Sequence, residues 1–151
     1  LFERGGRGYG SFELSPDGHY FATIKEDSDA KTSSVVLLAV ADGQERELLS
    51  VNSPEHYRAF GYMSWTPGGE ALIVIKSRQS EGDPYGERGP KELWLVSTSG
   101  GEARKLDIDI DDWSGRIRLH PNGTQIAFFT GKQSRELWVL DSLLPTQTAS
   151  K

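Results

Sequence analysis

One short pattern recurs along this chain and restricts what it can fold into. Ser15-Pro16-Asp17-Gly18 returns as Thr66-Pro67-Gly68-Gly69 and again as His120-Pro121-Asn122-Gly123, so the prolines stand 51 and then 54 residues apart. Two residues before each proline is a large apolar residue, Leu14, Trp65 or Leu119, and three after each glycine is another, Phe21, Leu72 or Ile126. Proline sets φ for the second position of a type I turn, Asp, Asn or Gly accepts the third, and glycine takes the left-handed conformation that follows. Each copy therefore reads as a tight hairpin between two strands. The Ser, Asp and His of the first copy are replaced by Thr, Gly and Glu in the second and by His, Asn and Thr in the third. A shared catalytic role for them is thereby excluded. Asn122-Gly123-Thr124 also fits a glycosylation sequon, but the turn accounts for it.

A second block repeats in phase with the first. Val35–Leu49 matches Leu93–Leu106, with Gly43 over Gly101 and Arg46 over Arg104, and Leu137–Asp141 opens a third copy. Each unit is thus four short strands. Strand A leads into the Pro-x-Gly turn, B follows it, C is the Leu-Trp-type strand, and D ends near Leu48 or Leu106. Four strands at a period near 50 residues predict an all-β fold of β-propeller blades, each of four antiparallel strands. An irregular β-sandwich is the competing architecture, and the phased repetition weighs against it. No segment has the period of an amphipathic helix, and the charged, Gly- and Pro-containing stretch Lys76–Lys91 reads as loop.

These stretches, LSPDGHYFATI, WTPGGEALIVI with ELWLVSTSGGEARKL, and LHPNGTQIAFFTG with ELWVLD, resemble TolB-like, WD-type repeats of bacterial β-propellers. Gly68 departs from the usual Asp of that motif, as do His120 and Asn122, and each leaves the turn feasible. The resemblance covers nearly the whole chain and implies a propeller of six or more blades that serves as a protein-binding platform. In some members the propeller is attached to a peptidase, a kinase or a DNA-binding module.

We expect one domain over residues 1–151, with units at about 1–40, 41–98 and 99–141 and a tail at 142–151. Three blades do not close a flat ring. Leu1 precedes Pro16 by the same 15 residues as Leu106 precedes Pro121, which places Leu1-Phe2 at the end of a D strand and orders the units D-A-B-C. The last unit then lacks its outer strand, an open edge that invites pairing. The expectation is a homodimer by strand exchange that forms a six-bladed ring. The alternative is a portion of a longer propeller.

Composition narrows the partners. A net charge of −5 disfavours nucleic acid, whose phosphates need a basic surface. No run of 18 apolar residues is present, so no membrane-spanning helix is expected. The chain begins at Leu1 without a signal pattern, and with no cysteine it has neither disulfides nor thiolate chemistry.

The A–B and C–D turns are short and share one face of a blade. The variable B–C loops, Glu26–Ser33, Lys76–Lys91 and Gly131–Arg135, share the other with the D–A loops, Ser50–Ala59 and Asp107–Ser114. Binding concentrates on such loops. Aromatic and arginine residues dominate contact energies, which selects His56, Tyr57, Arg58, Arg78, Tyr85, Arg88, Asp111 and Trp113 as candidate binding residues. The run Asp107–Trp113 lacks the glycine and glutamate of a Ca²⁺ loop and reads as a half-buried strand edge. Gly5–Gly10 fits no phosphate-binding motif and reads as a flexible D–A crossing. There is no Gly-x-Ser-x-Gly elbow, and His19, His56 and His120 lack zinc spacing. No catalytic residue, metal or cofactor is expected. The leading reading is a non-catalytic module that binds protein or peptide. Competing readings are the propeller domain of a prolyl-oligopeptidase-type peptidase or of a sensor, a carbohydrate-binding module, and a building block without a ligand.

Overall fold

The structure, a computed structural model, describes residues 7–58, 63–79, 82, 91–108 and 114–130. Every regular element among them is a strand. The first sheet contains β1 (Arg7–Tyr9), β2 (Glu13–Leu14), β3 (Tyr20–Asp27), β4 (Thr32–Ala39) and β5 (Glu45–Asn52). Its order is β1-β3-β4-β5, with β2 also on β3, and all pairs are antiparallel. Strands β1 and β2 are thus two segments of one A strand, and the sheet reads A-B-C-D across. The second sheet repeats this with β6 (Glu55–Tyr57) and β7 (Met63–Trp65) as a divided A strand, then β8 (Ala71–Arg78), β9 (Lys91–Ser97) and β10 (Arg104–Lys105). In the third unit β11 (Ser114–Leu119) pairs with β12 (Ile126–Thr130). This is an all-β architecture of antiparallel, blade-like sheets.

The three Pro-x-Gly turns share one backbone pattern. Ser15 N donates to Tyr20 O and Gly18 N to Ser15 O; Thr66 and Gly69, then His120 and Gly123, repeat these bonds at 2.8–2.9 Å. The closing glycines have φ of 75°, 79° and 73°. The residue before each proline holds the turn: Ser15 Oγ accepts from Tyr20 N, Thr66 Oγ1 from Ala71 N, and His120 Nδ1 from Asn122 N.

Strand alternation divides each sheet into two faces. Ala22, Ile24, Val35 and Leu37 of the first sheet pack against Tyr57, Met63, Leu72 and Val74 of the second. Ile73, Ile75 and Leu93, on the second sheet's opposite face, pack against Ile117 with Leu119, Ile126 and Phe128 of the third unit. The face that packs on the following unit is called trailing below, and the opposite one leading. The two junctions share one geometry even at their turns. A Cβ on Gly69 would lie 3.6 Å from Pro16 Cδ, and one on Gly123 3.7 Å from Pro67 Cγ.

Buried serines tie each A strand to the preceding sheet. Ser33 Oγ accepts from Tyr57 N at 3.0 Å and Ser64 Oγ from Leu119 N at 3.1 Å. Trp65 Nε1 donates to Glu13 O at 2.9 Å.

Several expected loops are strand. Glu26 and Ser33 are register partners, so the first B–C connection is only the turn at 28–31. Asp29 and Lys31 in the turn are exposed, while the backbone ladder continues up to it through half-buried Glu26 and Asp27. The expected D–A loop Ser50–Ala59 contains the end of β5 and all of β6. Arg7–Tyr9, expected in a flexible crossing, is β1, whose backbone pairs with Lys25–Asp27. The expected loop Lys76–Lys91 is strand through Arg78 and again at Lys91. The expected strand at 137–141, the loop Gly131–Arg135 and Leu1-Phe2 lie outside the described residues.

Candidate functional site

The end of the second sheet that carries its B–C and D–A connections gathers four of the eight candidates. His56 pairs in register with Ser77 on β8, and Ser77 with Lys91 on β9. Directly opposed side chains stand about 5 Å apart at Cβ and share one face. Arg58 continues that face, because Arg58 N donates to Ile75 O two residues down the ladder. His56, Arg58 and Lys91 thus surround Ser77 in a basic row on the trailing face. Ser77 and Lys91 are buried, at 4% and 5% exposure. The Ser77 hydroxyl has no hydrogen-bond partner among the described residues.

Two other candidates point elsewhere. Arg78 is exposed and pairs in register with Glu55 at the sheet edge. Tyr57 is no surface contact: it is 2% exposed, lies in the core, and burial, then the nearby Glu55 charge, pushes its phenol well above the ordinary value. Strand alternation turns it away from His56 and Arg58, a consequence of β6 being strand and not loop. Tyr85, Arg88, Asp111 and Trp113 lie outside the described residues, as does most of the Asp107–Trp113 run. Its first residues, Asp107 and Ile108, are exposed.

A groove of about 440 Å³ opens at the outer rim between the first two sheets, lined in part by Leu49, Val51, Tyr57, Lys76, Trp94 and Glu102. The Lys76 ammonium sits 4.6 Å from the Trp94 ring centroid and pairs with Glu55 at 3.3 Å and Glu92 at 3.2 Å. Glu92 also accepts from Lys105 at 2.7 Å and from the Trp94 indole at 2.9 Å. The Lys105 hydrogen bond chiefly, with those from Trp94 and Lys76, holds the Glu92 carboxyl down at about 2 against the opposing effect of burial. This floor is built of fully engaged polar groups. Sequence reading missed it because Lys76 and Trp94 are remote in the chain and meet only through the β8–β9 register, Val74 opposite Trp94.

A third cluster lies on the A strands. Glu13, Ser64 and Arg118 each stand three residues before the repeat's proline. Small Ser64 leaves room for Arg118 to reach across one unit to Glu13 at 3.1 Å, while also donating to Met63 O at 3.3 Å.

The fold and these clusters define an all-β protein of stacked blade-like sheets with polar clusters at the sheet junctions and ends. No family model matches the chain, and no curated protein matches it. Among solved structures it is similar to TolB from Acinetobacter baumannii, at 14% identity and a TM-score of 0.39, over 80% of this chain and 37% of that one. The chain spans well under half the length of that protein.

Proposed function

We propose that this protein is a non-catalytic β-propeller module that binds a protein or peptide partner on the face carrying its B–C and D–A connections. A second copy completes its ring. The observation that carries the binding reading is the basic row His56, Arg58 and Lys91 around the buried Ser77 hydroxyl. It stands at the end of the second sheet where Glu55 and Arg78 also lie, on a chain whose net charge is −5. Charge complementarity of this kind sets partner choice and orientation. An acidic segment of a protein or peptide fits it best.

The test is comparative capture from the source cell with purified protein as bait. Arg58→Ala removes one cation of the row; Asn122→Ala, on the opposite turn face, is the control. Proteins retained by the wild type and by Asn122→Ala should be lost with Arg58→Ala. Equal retention by both variants overturns the choice of face. Tyr85→Ala and Trp113→Ala enter the same comparison.

A further inference from the structure

We propose that the rim groove between the first two sheets seats an uncharged apolar side chain from an extended segment of a partner protein, and that a carbonyl oxygen of the same segment accepts from the Tyr57 phenol. The site is a second contact within the peptide-binding reading above and rests on that reading.

Comparison of the first two units carries it. Lys25 and Lys76 stand at the same distance from their prolines, and each is the register partner of a tyrosine on its A strand, Tyr9 or Tyr57. The aligned C–D turns place Glu45 over Ala103. In the first unit Glu45 joins the other two: its carboxylate accepts from the Tyr9 phenol at 2.6 Å and pairs with the Lys25 ammonium. In the second unit the methyl of Ala103 replaces that carboxylate. Lys76 pairs with Glu55 and Glu92 instead. Tyr57 gains no substitute: it is 2% exposed, and its hydroxyl makes no hydrogen bond among the described residues. A buried phenol ordinarily has an acceptor. Tyr57 and Ala103 both line the groove, so the groove is where a ligand can supply one.

The lining selects the chemistry of that ligand. A carboxylate would meet Glu92 and the exposed Glu102, and an ammonium would meet Lys76, so a neutral group fits. Leu49, Val51, Ala103 and Trp94 are half-buried apolar walls. Apolar walls with one polar group to fix orientation are the usual make-up of a binding pocket. Lys76 covers a face of the Trp94 ring at 4.6 Å and Glu92 takes its indole N–H, so aliphatic contact is favoured over the stacking that a sugar ring needs. The outer strand β5 points to an extended peptide. Among the described residues it pairs only with β4, and its alternate residues Leu49 and Val51 line the groove. A segment laid along such an edge is held by main-chain hydrogen bonds and sends every second side chain to the same side.

A phage-displayed library of random peptides panned on the full chain supplies the probes, and fluorescence polarisation measures each selected peptide. Peptides with an uncharged apolar anchor should be enriched. Ala103→Glu, which restores the first unit's carboxylate beside the phenol, should weaken them about tenfold. Tyr57→Phe, which removes the donor alone, should weaken them about fivefold. Arg58→Ala should leave them unchanged. No enrichment, or enriched peptides insensitive to Ala103→Glu, overturns the groove as a peptide site. Peptides lost with Arg58→Ala alone do so while leaving the basic row in place, so the two readings fail separately. A sugar bound on a glycan array by the wild type and lost with Ala103→Glu overturns the peptide as occupant. Should Tyr57→Phe loosen the core, Ala103→Glu still decides, because the first unit already carries glutamate at that position.

Discussion

At the residue scale, the three closing glycines combine legible sequence with checkable cost. Gly69 has φ of 79°, a region that costs an L-residue about 1–2 kcal/mol. A Cβ there would meet only Pro16 at ordinary contact distance. Gly69→Ala should therefore lower unfolding free energy by about 1–2 kcal/mol through backbone strain alone, read by urea titration. Glu92 gives a pH-dependent counterpart. Its folded carboxyl titrates at about 2 against an ordinary 4.5, so the stability it contributes is present above 4.5 and is lost as pH falls through about 2. Between those values the wild type should lose more stability than Glu92→Gln, by comparison of urea midpoints. A parallel decline would assign the acid sensitivity to other groups. The turn glycines were readable in the sequence because backbone conformation selects the residue directly. The Glu92 cluster was not, because its members meet only through strand register.

Among the elements, the divided A strands and their serine ties decide how one sheet seats the next. Ser33 Oγ satisfies the backbone N–H of Tyr57 and donates to Glu26 at 2.9 Å, and burial chiefly raises the Glu26 carboxyl pKa. Ser33→Ala leaves a buried donor unpaired, which should destabilise the fold by about 1–3 kcal/mol. Ser64→Ala, which orphans Leu119 N, should do the same. Chemical denaturation of each variant measures this, and an unchanged midpoint would show that water replaces the hydroxyl. Strands B, C and D were legible from the alternation of apolar residues and the phase of the turns. The A strands were only half so: Glu55–Tyr57 and Arg7–Tyr9 are three residues each, polar or Gly-containing, and too short to carry a period. Placing His56 and Tyr57 in a loop followed from that. As strand residues they face opposite sides, which keeps His56 in the candidate site and moves Tyr57 into the core.

For the whole molecule, the two junctions use equivalent positions, while Phe12, Leu14 and Phe21 on the first sheet's leading face stay exposed. Burial of Leu72 and Val74 at the first junction, at 0% and 1% exposure, shows what a neighbour does to these positions. Leu72→Ala should cost about 2–5 kcal/mol, whereas Phe21→Ala should cost far less in an isolated chain and more once the face is covered. The difference between them in dilute and concentrated protein is a concentration-dependent stability that a monomer does not have. The repeat made the recurring unit readable, but not which face lies open, since Phe21 and Leu72 are equally apolar in sequence and differ only in their surroundings. Sedimentation equilibrium of the unaltered chain tests this most directly. Closure by a second copy gives twice the 16.7 kDa chain mass, with dissociation only on dilution. A single species at 16.7 kDa throughout the micromolar range contradicts it.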